Sequence, residues 1–380
     1  MEPRWIDDPT AFAELITELR DEPRYALDTE FHGERTYWPR LALVQVAWSN
    51  GIALIDPFAV DMKPFGEILG GPGLMIAHAA EQDLAILERA CGRLPTKLFD
   101  TQVAAGFIGM GAPSLASLVE RLLEVRLTKG DRLTDWTRRP LSVEQRLYAA
   151  ADVEYLLELH DILVARLEPM GRLEWATDEC EERRLRVRTR PEPELAWWRM
   201  KGARQLRGKS RGVAQQVAAW RERTAATLDV PPRFVLSDLA LIGVVSRPPR
   251  NREELLAIRG VDGRSLREGT TDALLSAVEA GLALDPATVQ MPETDHIDRA
   301  LAPAVTVIGA WLTQRASELD LDPAVLATRA DLTQLLHGAP SRIASGWRAD
   351  LVGAPIQRLL EGKATIVLRD GGRRVELRDQ

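Results

Sequence analysis

The pattern of apolar and polar positions changes character near residue 170. Before that point, short apolar runs bounded by turn residues predict four strands: Tyr25–Phe31 (YALDTEF), Leu41–Trp48 (LALVQVAW), Gly51–Asp56 (GIALID) and Leu74–His78 (LMIAH). Their spacing makes the first three consecutive antiparallel neighbours, with Ser49-Asn50-Gly51 as the turn between the second and third. Helical periodicity follows at Glu81–Cys91, Thr101–Gly109 and Leu115–Leu122, and then over one long helix from about Val143 to Leu167. Ser142 with Gln145 three residues later is the reciprocal capping pattern that starts that helix. Strands followed by strand–helix alternation indicate an α/β or α+β domain.

From Gly171 onward the pattern is helical until about the last fifteen residues, where alternation around Asp370-Gly371-Gly372 predicts a β-hairpin. The helical part repeats itself at an offset of 91 residues: Trp220 matches Trp311, Ala225 Ala316, Leu228 Leu319, Asp229 Asp320 and Pro232 Pro323, with Val235 opposite Leu326. A proline at the same distance after each tryptophan-bearing helix starts the next helix in both copies. The expected organisation is an α/β domain over residues 1–170, a basic linker or helix over 171–209, and helical domains at 210–290 and 300–365. The other account of the repeat is a chance match between two amphipathic helix pairs.

Composition narrows the class. The 380 residues are 45% apolar and 28% charged, as in a globular protein of two or three domains. Two cysteines, Cys91 and Cys180, supply neither a disulfide framework nor a CxxC pair. The start MEPRWIDD has no signal-peptide pattern and no run of about 18 apolar residues occurs, so a cytoplasmic protein without a membrane partner is expected. The net charge of −7 argues at first against nucleic acid. The average hides a contrast, because Arg183–Arg223 holds thirteen basic residues against three acids, with Trp197 and Trp198 interleaved. Arginine with aromatics suits a nucleic-acid backbone and unstacked bases. The competing account is a solvated basic helix face with the tryptophans packed between domains.

The candidate chemistry lies in carboxylates. Asp28 and Glu30, two apart in a strand, leave the same face, where burial without a cation is costly. Asp83 falls in the first turn of a helix after a strand, where the dipole tolerates an anion. Tyr148 and Asp152, four apart, share a helical face with only alanines between them. Each has an ordinary structural explanation by itself: a strand that ends at Leu27, a helix-start acid, an interfacial tyrosine beside a surface acid. Gathered at one sheet end, they would suit two hard divalent cations, Mg²⁺ or Mn²⁺, the pair that stabilises attacking and leaving oxygens in phosphodiester cleavage. Five histidines without HExxH make zinc a poor alternative. Gly202–Ser210 (GARQLRGKS) imitates a phosphate-binding loop but has five residues between its glycines where four are needed, so no nucleotide cofactor is expected.

The segments LDTEF with TYWPRLALVQVA behind it, IAHAAEQDL, and KGDRLTDWTRRPLSVEQRLYAAADVEYL resemble the DEDD exonucleases of the tyrosine subclass. The two helical copies resemble tandem HRDC modules, the second departing further from the pattern, and the chain over most of its length resembles the bacterial ribonuclease D family. The resemblance implies an RNase H-like (DnaQ-like) α/β domain with a mixed sheet, followed by two all-α HRDC-like domains. It implies Asp28, Glu30, Asp83 and Asp152 as metal ligands and Tyr148 as the group that orients the attacking water. It implies contacts from Phe31, Gln45, His78, Trp136 and Arg139 to the terminal nucleotides, each of which fits a packing or salt-bridge role equally well. The implied function is a metal-dependent 3′–5′ exoribonuclease that releases 5′-nucleoside monophosphates from RNA with a free 3′ end, with transfer-RNA precursors as substrate. The alternatives are a DNA exonuclease of the same fold and an inactive RNA-binding or scaffold protein.

Overall fold

The computed structural model describes residues 2–127, 134–186, 192–261, 269–292 and 299–380. The chain forms two compact units: Met1–Glu30, Leu41–Val187 and Ile297–Gln380 make the first, and Phe31–Arg40 with Arg188–His296 the second. Parts of two sequence features lie outside the described residues, namely 129–133 of the KGDRLTDW segment and 187–191 within the basic stretch.

The first unit is built on a six-stranded sheet of β1 (Arg4–Ile6), β2 (Arg24–His32), β3 (Arg40–Trp48), β4 (Gly51–Ile55), β5 (Leu74–Ala77) and β6 (Leu98–Asp100), in the order β1-β4-β3-β2-β5-β6. The sheet is mixed, as the resemblance implied. β3 and β4 form an antiparallel hairpin in which Trp48 pairs with Gly51, whereas β1 runs parallel to β4, and β5 runs parallel to both β2 and β6. β3 is buried along nearly its whole length, which explains why its sequence is an apolar run rather than an alternation. The edge strands β1 and β6 were not expected; three residues are too few to carry a period.

The long helix expected over 143–167 is two helices, Val143–Glu154 and Leu156–Leu167, divided at Tyr155 (φ −101°, ψ −4°). The break lets each half pack differently. The first half rests on β4, while the second, through Leu156, Leu159, Leu163 and Leu167, packs against β5 and the helices Thr101–Gly106 and Leu115–Leu123. Thr101–Gly106 ends three residues before its expected limit.

The internal repeat is present in three dimensions at the same offset. Asp229 (φ 49°) and Asp320 (φ 50°) adopt the left-handed conformation after their helices, and Pro232–Val235 and Pro323–Leu326 are the short helices that follow. Next come Asp238–Ser246 and Arg329–Leu336. The later copy lies in the first unit and shares its core: Val305, Ile308, Leu326 and Val352 belong to the same buried cluster as Phe107, Leu163 and Ala176. The junction is close. A side chain at Gly106 would meet Val325 Cγ2 at 2.6 Å, the Asp322 amide donates to the Gly106 carbonyl at 2.8 Å, and Trp175 stacks on Trp347 with centroids 4.9 Å apart. Glu179, 1% exposed, accepts from Arg342 at 2.8 and 3.1 Å and from Arg348. Burial opposes ionisation of Asp331, yet hydrogen bonds from Arg342 and Thr328 hold its carboxyl down at about 2. The expected C-terminal hairpin forms from β7 (Ala364–Arg369) and β8 (Arg374–Asp379).

In the second unit the helix Lys209–Leu228 is central, and Thr270–Ala283 crosses it where a side chain at Gly212 would come within 2.4 Å of the Gly281 carbonyl oxygen. Trp197 is fully buried and donates its indole N–H to the Gln290 carbonyl at 3.1 Å. The segment Phe31–Arg40 belongs here because Tyr37 packs beside Ala225 and Val235, donates its hydroxyl to Glu222 Oε2 at 3.0 Å, and with Trp38 gives its amide to Asp229 Oδ1.

Glu179→Ala would leave Arg342 with one fewer anion and Arg348 without its buried carboxylate. A loss of about 3–5 kcal/mol is expected in denaturant unfolding, since removing one member of a buried ion network strands the others; a loss below about 1 kcal/mol would show that the network contributes little.

Candidate active site

Alternation along β2 sets the first two carboxylates. Ala26 pairs with Ile76, which pairs with Phe99, and all three share a core with Ala149, Ala150 and Val153 of the helix Val143–Glu154. Asp28 and Glu30 leave β2 on the side of Ala26, the face this helix covers. The same helix carries Tyr148 and Asp152 one turn apart, and the alanines between them allow close approach to the sheet. Its start has the expected reciprocal cap: the Ser142 amide donates to Gln145 Oε1 at 2.8 Å, and the Gln145 amide to Ser142 Oγ at 3.2 Å.

Asp83 sits in the first turn of Glu81–Cys91 and is 7% exposed. The turn before that helix is strained, with Ala79 at φ 59°, a conformation costly for a residue with a Cβ. Asp100 holds it. One carboxylate accepts from the amides of Ala79 and Ala80, each at 3.0 Å, and from those of Gln102 and Val103 at 2.9 and 3.3 Å, which also caps the next helix. Asp100 was not singled out in the sequence, although an aspartate between the apolar pair Leu98-Phe99 and a helix start is an N-cap signal.

Burial raises all four carboxylates, and at Asp28 and Glu30 the charges of the others add to it. Asp28 is pushed well above the usual carboxylate range by burial and then by the charges of Asp83, Asp152 and Glu30. Glu30 rises to about 8 through burial and the charges of Asp152 and Asp83. Burial lifts Asp152 to about 7, and it lifts Asp83 to about 6 against the opposing hydrogen bond from the Thr29 hydroxyl. Among the described residues no lysine or arginine pairs with any of the four. Nor are three His, Cys, Asp or Glu side chains already gathered around one point as metal ligands would be, among those residues. What unites the four is unrelieved negative charge on hard oxygen donors, and that donor set fits divalent cations such as Mg²⁺ or Mn²⁺.

The expected nucleotide contacts fare differently. Gln45 is wholly buried with neither amide atom paired, on the face it shares with Leu43, Ala47 and Leu54, so it meets the core rather than solvent. His78 has both ring nitrogens engaged, with Thr101 Oγ1 at 2.9 Å and the Pro113 carbonyl at 3.0 Å. Arg139 pairs with Asp56 through two contacts of 2.6 and 2.8 Å and donates to the carbonyls of Trp136 and Ala42. Trp136 is 7% exposed and stacks on Tyr148. His78, Trp136 and Arg139 thus engage protein groups, as buried polar and aromatic side chains commonly do, whereas Gln45 leaves both amide atoms unpaired. Phe31 is half-buried at the end of β2.

The basic run is partly neutralised. Arg199 pairs with Glu222, Arg221 with Asp238 and Arg223 with Glu194, while Lys201, Arg204, Arg207 and Lys209 are exposed. Trp197, in the core, is unavailable for base stacking.

Residues 3–168 match the 3′–5′ exonuclease family and residues 210–278 the HRDC domain family. The chain is 32% identical over 374 residues to ribonuclease D of Bartonella henselae, covering 96% of this chain and 92% of that one. It is 36% identical over 357 residues to ribonuclease D of Gluconacetobacter diazotrophicus, covering 92% and 90%. The crystal structure of Escherichia coli RNase D, described as an exoribonuclease involved in structured RNA processing, superposes with TM-score 0.85 at 33% identity, over 95% of this chain and 99% of that one.

Carboxyls that titrate near 4 in the unfolded chain but at about 6, 7 and 8 at Asp83, Asp152 and Glu30 make the folded state retain protons the unfolded state has shed. Without divalent cations this contribution to stability is lost as pH rises from about 4 to about 8. In chelator the melting temperature is expected to fall over that window by more than in Asp28→Asn, and Mg²⁺ or Mn²⁺ should restore it most at the alkaline end. Parallel pH profiles for parent and variant, with no response to either cation, would contradict the cluster.

Proposed function

The chain belongs to the ribonuclease D family, and from that premise we propose how it acts as a 3′–5′ exoribonuclease: Asp28, Glu30, Asp83 and Asp152 hold two divalent cations, Mg²⁺ or Mn²⁺, at the 3′ end of an RNA. The observation that supports this reading is that all four carboxylates are raised, each first by burial, with the charges of Asp83 and Asp152 adding to the rise at Asp28 and Glu30; bound cations would relieve that cost. When bound, such ions supply charge stabilisation to phosphodiester hydrolysis and acidify the attacking water.

The chain's own residues do the rest. Tyr148, one turn before Asp152, orients the water by hydrogen bonding. An ordinary phenol titrates near 10, so at neutral pH its hydroxyl positions the water rather than taking its proton. Water adds to the terminal phosphorus, the bond to the 3′-oxygen of the preceding nucleotide breaks, and that oxygen leaves protonated. The products are a 5′-nucleoside monophosphate and an RNA one residue shorter. Asp100 and the strained turn at Ala79 keep the Asp83 helix in place during this chemistry. Transfer-RNA precursors are the proposed natural substrate, and the exposed Lys201, Arg204, Arg207 and Lys209 of the second unit are proposed to meet RNA phosphates.

End-labelled single-stranded RNA and DNA of one sequence, given Mg²⁺, Mn²⁺ or chelator, test the activity. Mononucleotide release from RNA is expected with either cation and none with chelator, and Asp28→Asn and Asp152→Asn should each lose at least about 100-fold in kcat. Cleavage in chelator, or variants equal to the parent, would refute the two-cation reading, and equal rates on both polymers would remove the preference for RNA.

Neutralising Arg204, Arg207 and Arg211 together should weaken RNA binding and lower its salt slope by about 0.7 for each phosphate that is no longer neutralised. An unchanged slope would make this stretch a solvated face.

A further inference from the structure

Tyr148 stands on the helix Val143–Glu154 and packs against the buried core of the first unit. Val143 and Leu147, on the same helix, are 67% and 57% exposed, and Ala149 to Ala151 are too small to hold a ring. Aromatic support for the phenol comes from outside the helix. The Trp136 indole stacks on it with centroids 6.1 Å apart and planes inclined by 28°. Trp136 is nearly buried, so it cannot also present a free face to a nucleotide.

Trp136 is in turn fixed by its own backbone. Its carbonyl accepts from Arg139 Nη1 at 2.8 Å, and the Arg139 guanidinium is clamped by Asp56 just beyond β4, at 2.6 and 2.8 Å, and by the Ala42 carbonyl of β3 at 2.7 Å. The same guanidinium lies over Phe58 at 4.7 Å and Trp5 at 5.7 Å, and Arg146, from the helix of Tyr148, covers Trp5 at 4.5 Å. The sheet thus reaches the phenol through Asp56, Arg139 and Trp136. It also reaches the helix itself through Trp5 and Arg146.

We propose that Trp136 is a positioning residue for the hydrolytic step: its indole, anchored to the sheet through Arg139 and Asp56, holds the Tyr148 phenol in the orientation that directs the attacking water. This rests on the role given to Tyr148 above. A group that aligns a reacting water acts on the chemical step, so its loss lowers kcat and leaves substrate binding nearly unchanged.

The test is a double-mutant cycle on the full chain, with a labelled oligoribonucleotide at saturating Mg²⁺. Tyr148→Phe is expected to lower kcat about 100-fold. Trp136→Leu is expected to lower kcat about tenfold with KM within about twofold of the parent, while Trp136→Phe, which keeps a ring to stack, stays within about twofold in both. In the Tyr148→Phe background, Trp136→Leu should cost less than a further twofold, because the group it positions no longer bears a hydroxyl. Trp136→Met fills the space without a ring and takes the place of the leucine variant if that protein does not fold. A tenfold loss in both backgrounds would overturn the proposal, as would a rise in KM at constant kcat, which would make Trp136 a nucleotide contact. Parental activity of Tyr148→Phe would instead overturn the reading of the site on which the proposal stands.

Discussion

Four carboxylates that repel one another at the end of a sheet are the constraint around which the first unit is organised. Burial and neighbouring charge both oppose their ionisation, which is why Asp28 and Glu30 stand so far above the ordinary carboxylate range. A fold left to relax would turn such groups outward. Here the elements that carry them are held by contacts that lie outside the cluster. Asp100 spends its whole carboxylate on four backbone amides and keeps the Asp83 helix close. Trp5, Arg139 and Asp56 tie the Tyr148–Asp152 helix to β1, β3 and β4. The resulting excess of negative charge is what a pair of divalent cations would relieve, so in the proposed reading the destabilising feature and the catalytic one are the same.

The later helical copy matters to this arrangement because its core is continuous with that of the nuclease part. Glu179 lies in the helix Leu173–Leu185 and accepts from Arg342 and Arg348 of the repeat as well as from Arg183 of its own helix. Gly106 and Asp322 bring the two backbones within hydrogen-bonding distance. The chain thus uses one repeat copy as part of the catalytic unit's packing. The other copy belongs to the second unit, where Asp229 binds the amides of Tyr37 and Trp38. The two aspartates have the same left-handed backbone but opposite uses of their surroundings: Asp229 caps a segment from the β2–β3 connection, while Asp320 abuts Gly109.

The charge balance is likewise a matter of distribution. A net −7 arises from a basic stretch of +10 within a remainder of −17, and folding redistributes it again. Arg199, Arg221 and Arg223 are consumed by Glu222, Asp238 and Glu194, leaving a shorter exposed basic strip from Lys201 to Lys209. Trp197, which its sequence context suggested as a stacking platform, is core.

Much was legible in the sequence because it depended on local periodicity or fixed spacing. The strands from β2 to β5, the capping pair Ser142 and Gln145, the repeat at 91 residues and the hairpin around Asp370-Gly371-Gly372 all follow from neighbours in the chain. The short edge strands β1 and β6 could not be read, because they exist only by pairing with longer strands. The break at Tyr155 was hidden because apolar spacing continues through it, and only the two different packing partners divide the helix. The sequence by itself determined which oxygen donors were available and which of them shared a strand face or a helix face. Tertiary structure decided that Asp28, Glu30, Asp83 and Asp152 feel one another, and that Trp136 and Arg139 serve as supports. The reason is physical: electrostatic coupling and side-chain stacking depend on distance through space, and these residues come from elements that only the fold brings together.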